Sequence, residues 1–68
     1  MNVIVNGVQL DLPEGSTVRD VVERADMPSR DRGIAVAVDA DVVPRSAWDE
    51  TVLSEGQRIE LLAAMQGG

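Results

Sequence analysis

The feature that most constrains this fold is Asn6-Gly7, set between the apolar runs Val3-Ile4-Val5 and Val8-Gln9-Leu10-Asp11-Leu12. Both turn residues tolerate positive φ, and Asn-Gly flanked by strand-like runs is the strongest short-range signal for a β-hairpin. A two-residue loop places Val5 opposite Val8 and Val3 opposite Leu10, so these share a face with Met1 and Leu12. Asn2, Ile4, Gln9 and Asp11 then point the other way. Ile4 is thus an apolar residue on an otherwise polar face.

Pro13-Glu14-Gly15 breaks the second strand. Ser16 or Thr17 can cap a following helix, with Asp20 placed three residues after Thr17 like the acid of a capping box. Val18, Val21, Val22 and Ala25 follow the i, i+3, i+4, i+7 spacing of one buried helical face, while Arg19, Asp20, Glu23 and Arg24 face water. The helix fades before Pro28, because the residue preceding a proline avoids the α region. Residues 27–32 form a polar connection. Gly33-Ile34-Ala35-Val36-Ala37-Val38 is a third strand with its larger residues on one face and its alanines on the other. Asp39-Ala40-Asp41 turns it into a short strand at Val42-Val43, which Pro44 ends or confines to an edge. Residues 46–55 are loop or short helical turn. The last strand runs from about Arg58 to Ala64, with Ile59, Leu61 and Ala63 facing the core.

The 68 residues permit one domain, and at this size only about 60% of the unfolded surface is buried on folding. The predicted organisation is an α+β domain over 1–64, followed by a flexible tail over 65–68. A mixed sheet of four to five strands carries one main helix on one face, a two-layer arrangement.

Composition removes most catalytic chemistry. There is no Cys and no His, so no thiolate nucleophile, no disulfide framework, no zinc site of the usual ligands and no histidine acid–base pair. Trp48 is the only aromatic residue, and a small aliphatic core leaves little room for a self-contained active site. Twelve acidic residues against six basic ones give a net charge of −6. Such a surface repels nucleic-acid phosphates, and stacking aromatics are missing, which argues against nucleic-acid binding. The same charge serves solubility or steers the protein toward a basic docking surface. No basic n-region follows Met1, as a signal peptide would require. No apolar stretch reaches the ~20 residues of a membrane span. The expected compartment is the cytoplasm.

The chain closes on Met65-Gln66-Gly67-Gly68. Gly-Gly lacks side chains and can thread a narrow channel that any Cβ would block. Taken alone, the ordinary reading of such a terminus is fraying.

Several stretches together carry a more specific resemblance. They are Glu14-Gly15-Ser16-Thr17-Val18 before the helix, the third strand over 33–38, Val43-Pro44-Arg45 with Trp48, Leu53-Ser54-Glu55-Gly56, and the final Gln66-Gly67-Gly68. Over its whole length the chain resembles the ThiS/MoaD family of ubiquitin-like proteins, and the Val-Pro-Arg…Trp segment with the short length favours the ThiS branch. The resemblance implies a β-grasp fold, with the first and last strands central and adjacent. It also implies a sulfur carrier for thiamin (thiazole) biosynthesis. On that reading Gly68 is the site of adenylation and thiocarboxylate formation, and Gly67, Gln66 and Met65 are the residues by which the tail is recognised. The protein is then a co-substrate with no catalytic residues of its own and no bound cofactor or metal. ATP and magnesium belong to a partner, a ThiF-type adenylating enzyme. The other implied partners are a thiazole synthase and a sulfur donor such as a cysteine desulfurase. Gln57 departs from the family, which often carries Asp after that glycine, and the change is expected to affect a turn hydrogen bond and not the terminal chemistry.

If the first and last strands are neighbours, Ile4, Leu62 and Ala64 form an apolar patch beside the tail, and a cluster of this kind suggests an interface. Arg45 and Trp48 can also belong to a partner contact, although closing one end of the core is the simpler role for Trp48. Two other readings remain open: a MoaD-like molybdopterin synthase small subunit or natural-product sulfur carrier, and a ubiquitin-like binding module with an inert tail.

Overall fold

The computed structural model describes residues 1–25 and 33–63. The hairpin forms as its turn dictates. Strands β1 (Asn2–Val5) and β2 (Val8–Asp11) pair antiparallel, with Val5 opposite Val8 and Val3 opposite Leu10. Asn6 and Gly7 take φ of 49° and 81°, the two positive values of a type I′ turn. Backbone bonding extends past the strand ends, since Leu12 N–H donates to the Met1 carbonyl at 2.7 Å.

Helix α1 (Val18–Ala25) starts on a capping box. The Thr17 amide donates to Asp20 Oδ2 at 2.9 Å, and the Asp20 amide donates back to Thr17 Oγ1 at 3.4 Å. The other first-turn amides also find acceptors. Val18 N–H donates to the Thr51 carbonyl, Arg19 N–H to that of Trp48, and Val21 N–H to that of Thr17. The helix start, where four donors lack intrahelical partners, is thereby tied to the loop over 47–53. An isolated bridge between Thr17 and Val52 reinforces that tie.

Strand β3 (Ile34–Val38) turns at Asp39-Ala40 into β4 (Asp41–Val43), a 3₁₀ turn follows over Arg45–Ala47, and β5 (Arg58–Ala63) closes the fold. Among the described residues the five strands form one sheet in the order β2-β1-β5-β3-β4. β1 and β5 are parallel and central, with Ile4 opposite Arg58 and Val5 opposite Ile59. β5 pairs antiparallel with β3 from Ile34–Ala63 to Val38–Ile59. This is the expected β-grasp arrangement.

One face of the sheet packs against α1. Val3, Val36, Val38, Ile59 and Leu61 from the strands meet Val18, Val21 and Val22 from the helix, with Leu12, Trp48 and Leu53 closing the ends. Trp48 is 2% exposed, and its indole N–H donates to the Val43 carbonyl at 3.0 Å. It fills the end of the core, as its size requires.

Three expectations are corrected. Ala25 follows the apolar helical spacing but is exposed, and Val8 is 67% exposed although it shares a face with buried Val3. An eight-residue helix spans only about 12 Å, and both residues border a depression of about 190 Å³ between the hairpin and the end of α1. Arg19, expected in water, is half-buried. Its guanidinium lies 5.4 Å from the Trp48 ring centroid, and its Nε donates to Asp49 Oδ1 at 2.8 Å. Gln57, at the turn where an effect on hydrogen bonding is expected, makes side-chain bonds of its own. Its Oε1 accepts from the Ser54 amide at 2.7 Å, and its Nε2 reaches Asp39 Oδ2 at 3.4 Å. An amide side chain presents an acceptor as a carboxylate does, so the substitution preserves the turn.

Candidate functional site: the end of the last strand and the open sheet face

The residues proposed from sequence for the terminal chemistry, Met65, Gln66, Gly67 and Gly68, lie outside the described residues, as does Ala64. What the structure describes is their base. β5 runs between β1 and β3, with Ile59 and Leu61 buried in the core. The strand that leads to the tail is therefore the innermost of the sheet. Burial of its apolar side chains anchors it, each such side chain contributing about 1.5–3 kcal/mol.

At the Leu61 level β5 is held from both sides. Val36 of β3 is its register partner. On the other side Asn6 Oδ1 accepts from the Leu61 amide at 2.8 Å, and Asn6 Nδ2 donates to the Leu61 carbonyl at 3.2 Å. In the sequence, Asn6 reads only as a turn former. Turn chemistry is local, whereas the partner lies 55 residues away.

The sheet face away from α1 carries Ile4, Arg58, Glu60, Leu62, Ala35, Ala37 and Val42 by strand alternation and register. Leu62 is 68% and Val42 75% exposed, and Ile4 is half-buried. Ile4 and Leu62 share this face but are not adjacent. Ile4 stands opposite Arg58, which places Leu62 four residues, or about 13 Å, further along β5. The apolar neighbours of Leu62 come from the other side. Ala35 is directly opposite it, and Ala37, next along the same face of β3, is opposite Val42. The alanine alternation of β3 was visible in the sequence, but the cross-strand register that joins it to Leu62 and Val42 was not. The same face carries the charged residues Arg58, opposite Ile4, and Glu60, opposite Ala37.

Arg45 follows β4 in the 3₁₀ turn over Arg45–Ala47. It is exposed, and its guanidinium lies 5.6 Å from the Trp48 ring centroid, within the range of a cation–π contact. The hydrogen bond to Asp49 holds the Arg19 guanidinium still more firmly in its protonated form.

A second depression, about 460 Å³ and open to solvent, is lined by Pro13, Glu14, Gly15, Ser16, Asp20, Glu23 and Arg24. Among the described residues no group of three or more His, Cys, Asp or Glu side chains is arranged to hold a metal. No described helix is long and apolar enough to cross a membrane.

Among the described residues, a central parallel β1–β5 pair with one helix across one face of a five-stranded mixed sheet defines a ubiquitin-like β-grasp protein. The ThiS family model matches residues 3–68, and the chain belongs to that family. It is 29% identical over 68 residues to the sulfur carrier protein ThiS of Escherichia coli (strain K12), covering all of both chains. The crystal structure of the thiamine biosynthesis protein ThiS from Geobacter metallireducens superposes with a TM-score of 0.82 at 27% identity, over all of both chains. The NMR solution structure of a thiamine biosynthesis protein from the same organism gives 0.76 at 28% identity, covering all of this chain and 88% of the other.

Proposed function

We propose that this ThiS-family chain, a sulfur carrier of thiamine biosynthesis, carries its sulfur as a thiocarboxylate on Gly68. The observation that supports this reading is the extent of the family match, which runs through Gly67 and Gly68, on a fold whose central strand leads into them.

A free carboxylate is a poor electrophile. In the proposed cycle a Gly68 carboxylate oxygen attacks the α-phosphorus of ATP on an adenylating partner that uses magnesium, and pyrophosphate leaves. The terminal sulfur of a persulfide from a sulfur donor, such as a cysteine desulfurase, attacks the acyl carbon and displaces AMP. Reduction of the sulfur–sulfur bond by a thiol leaves the sulfur on Gly68. That sulfur, anionic at neutral pH, is a better nucleophile than oxygen. It attacks the acceptor substrate on a thiazole synthase, and water then cleaves the acyl–sulfur bond, leaving the sulfur on the acceptor and regenerating the Gly68 carboxylate. The protein is thus a co-substrate: its sheet supplies a rigid handle and its glycines a tail thin enough to enter a partner's channel.

The test is intact-mass measurement after incubation with ATP, magnesium, a ThiF-type enzyme and a persulfide source. The expected product has one oxygen exchanged for sulfur, located on Gly68 by fragmentation. An unchanged mass with an adenylating enzyme proven active on another carrier sinks the reading.

A further inference from the structure

The β1–β5 ladder advances in steps of two. Ile4 N–H donates to the Gln57 carbonyl at 2.9 Å, and Asn6 N–H donates to that of Ile59 at 2.9 Å. A regular parallel ladder would next place the Asn6 carbonyl on Leu61 N–H, and the amide of residue 8 on the Leu61 carbonyl. The chain has already turned, however, and Val8 runs back along β2 opposite Val5. The Asn6 side chain supplies what is missing. Its Oδ1 takes the Leu61 N–H at 2.8 Å, and its Nδ2 donates to the Leu61 carbonyl at 3.2 Å. A side-chain amide carries the same acceptor and donor as a peptide unit, so Asn6 extends β1 by one unit without any further backbone.

Turn chemistry alone does not call for this residue. The φ of 49° at Asn6 is open to Gly and Asp as well as Asn. Gly offers no side-chain group, and Asp offers two acceptors, one of which would face the Leu61 carbonyl. Asn alone among the three satisfies both backbone groups of Leu61. The consequence falls on the end of β5. Leu61 is buried, Ala63 is the last residue of the strand, and residues 64–68 follow at once.

We propose that Asn6 is a positioning residue for the C-terminal tail: by clamping both backbone groups of Leu61, it sets the direction in which β5 delivers residues 64–68 to the enzyme that modifies Gly68. This rests on the function proposed above. Asn6 touches no reacting atom and acts through Leu61. Docking of the sheet face is separate from the clamp, so a slack clamp lowers the fraction of docked carriers whose carboxylate is in place. That is a loss in kcat rather than a rise in KM.

The experiment compares the full-length protein with Asn6→Gly, which keeps the turn and removes both side-chain bonds, and with Asn6→Asp, which keeps one acceptor. ATP–pyrophosphate exchange is measured with a ThiF-type enzyme at a temperature where circular dichroism shows all three folded. Amide hydrogen exchange at Leu61 is followed by NMR. Expected for Asn6→Gly are about tenfold faster exchange at Leu61, in keeping with the loss of a hydrogen bond, and about tenfold lower kcat at unchanged KM for the carrier. Asn6→Asp falls between. Unchanged Leu61 exchange, unchanged kcat, or a change confined to KM overturns the proposal while leaving Gly68 chemistry standing. An inactive wild type, with the enzyme active on another carrier, overturns the proposed function and this inference with it.

Discussion

The Trp48 indole N–H donates to the Val43 carbonyl at 3.0 Å, joining the one aromatic residue of the chain to the end of β4. The same ring receives the guanidinium groups of Arg19 and Arg45 at 5.4 and 5.6 Å from its centroid. One side chain therefore fills the end of the core, completes a buried hydrogen bond and gathers two cations from different elements. Trp48→Ala is expected to cost about 3–5 kcal/mol, a large share of the stability a domain of this size has. Urea denaturation followed by circular dichroism checks this, and Trp48→Phe should lose distinctly less.

The capping box gives a second, smaller prediction. Thr17→Ala and Asp20→Ala should each destabilise by about 1 kcal/mol. Because each side chain serves the other's amide, the double variant should lose less than the sum. A double-mutant cycle by thermal denaturation measures that coupling.

Ala40 sits at φ 73° in the β3–β4 turn, beside Asp39 at 49°. A left-handed conformation costs a non-glycine residue about 1–2 kcal/mol, and the extra chain entropy of glycine returns roughly 0.5–1 kcal/mol of that. Ala40→Gly should accordingly stabilise by about 0.5–1 kcal/mol, read as a higher urea midpoint at unchanged slope.

Leu62 stands exposed on the open face beside Ala35. Leu62→Asp should change stability by no more than about 0.5 kcal/mol, as is usual for exposed positions. If that face meets a partner, KM for the carrier in adenylation should rise at least tenfold. Titration of the adenylating enzyme with each variant distinguishes this from the kcat effect expected at Asn6.

Deleting Gly68 should abolish adenylation and leave thermal unfolding unchanged. The described core is built from Val3 to Leu61, and a terminal residue beyond it contributes little to stability. A large fall in melting temperature would show that the tail is structural.

Much of this was legible in the residues. The Asn6-Gly7 hairpin, the Thr17–Asp20 box and the alternation in β3 and β5 are chemistry between near neighbours, and each appears in the structure as expected. At Gln57, where the family often carries Asp, an amide oxygen accepts from the Ser54 amide in the turn, a contact that the sequence pattern does not specify. Ala25 and Val8 show where periodicity overreached, since spacing names a face but not how far the opposing layer extends.

By itself the sequence determined the elements, their turns, the lack of Cys and His chemistry and the Gly-Gly ending, all properties of single residues or of short-range spacing. Only the tertiary structure decided that Asn6 meets Leu61 across 55 positions, that Leu62 is flanked by Ala35 rather than Ile4, and that Arg19 lies over Trp48. The physical reason is that hydrophobic burial is non-directional. It demands that Val3, Ile59 and Leu61 go inside, while the pairing of strands distant in sequence sets which polar and exposed groups arrive beside one another.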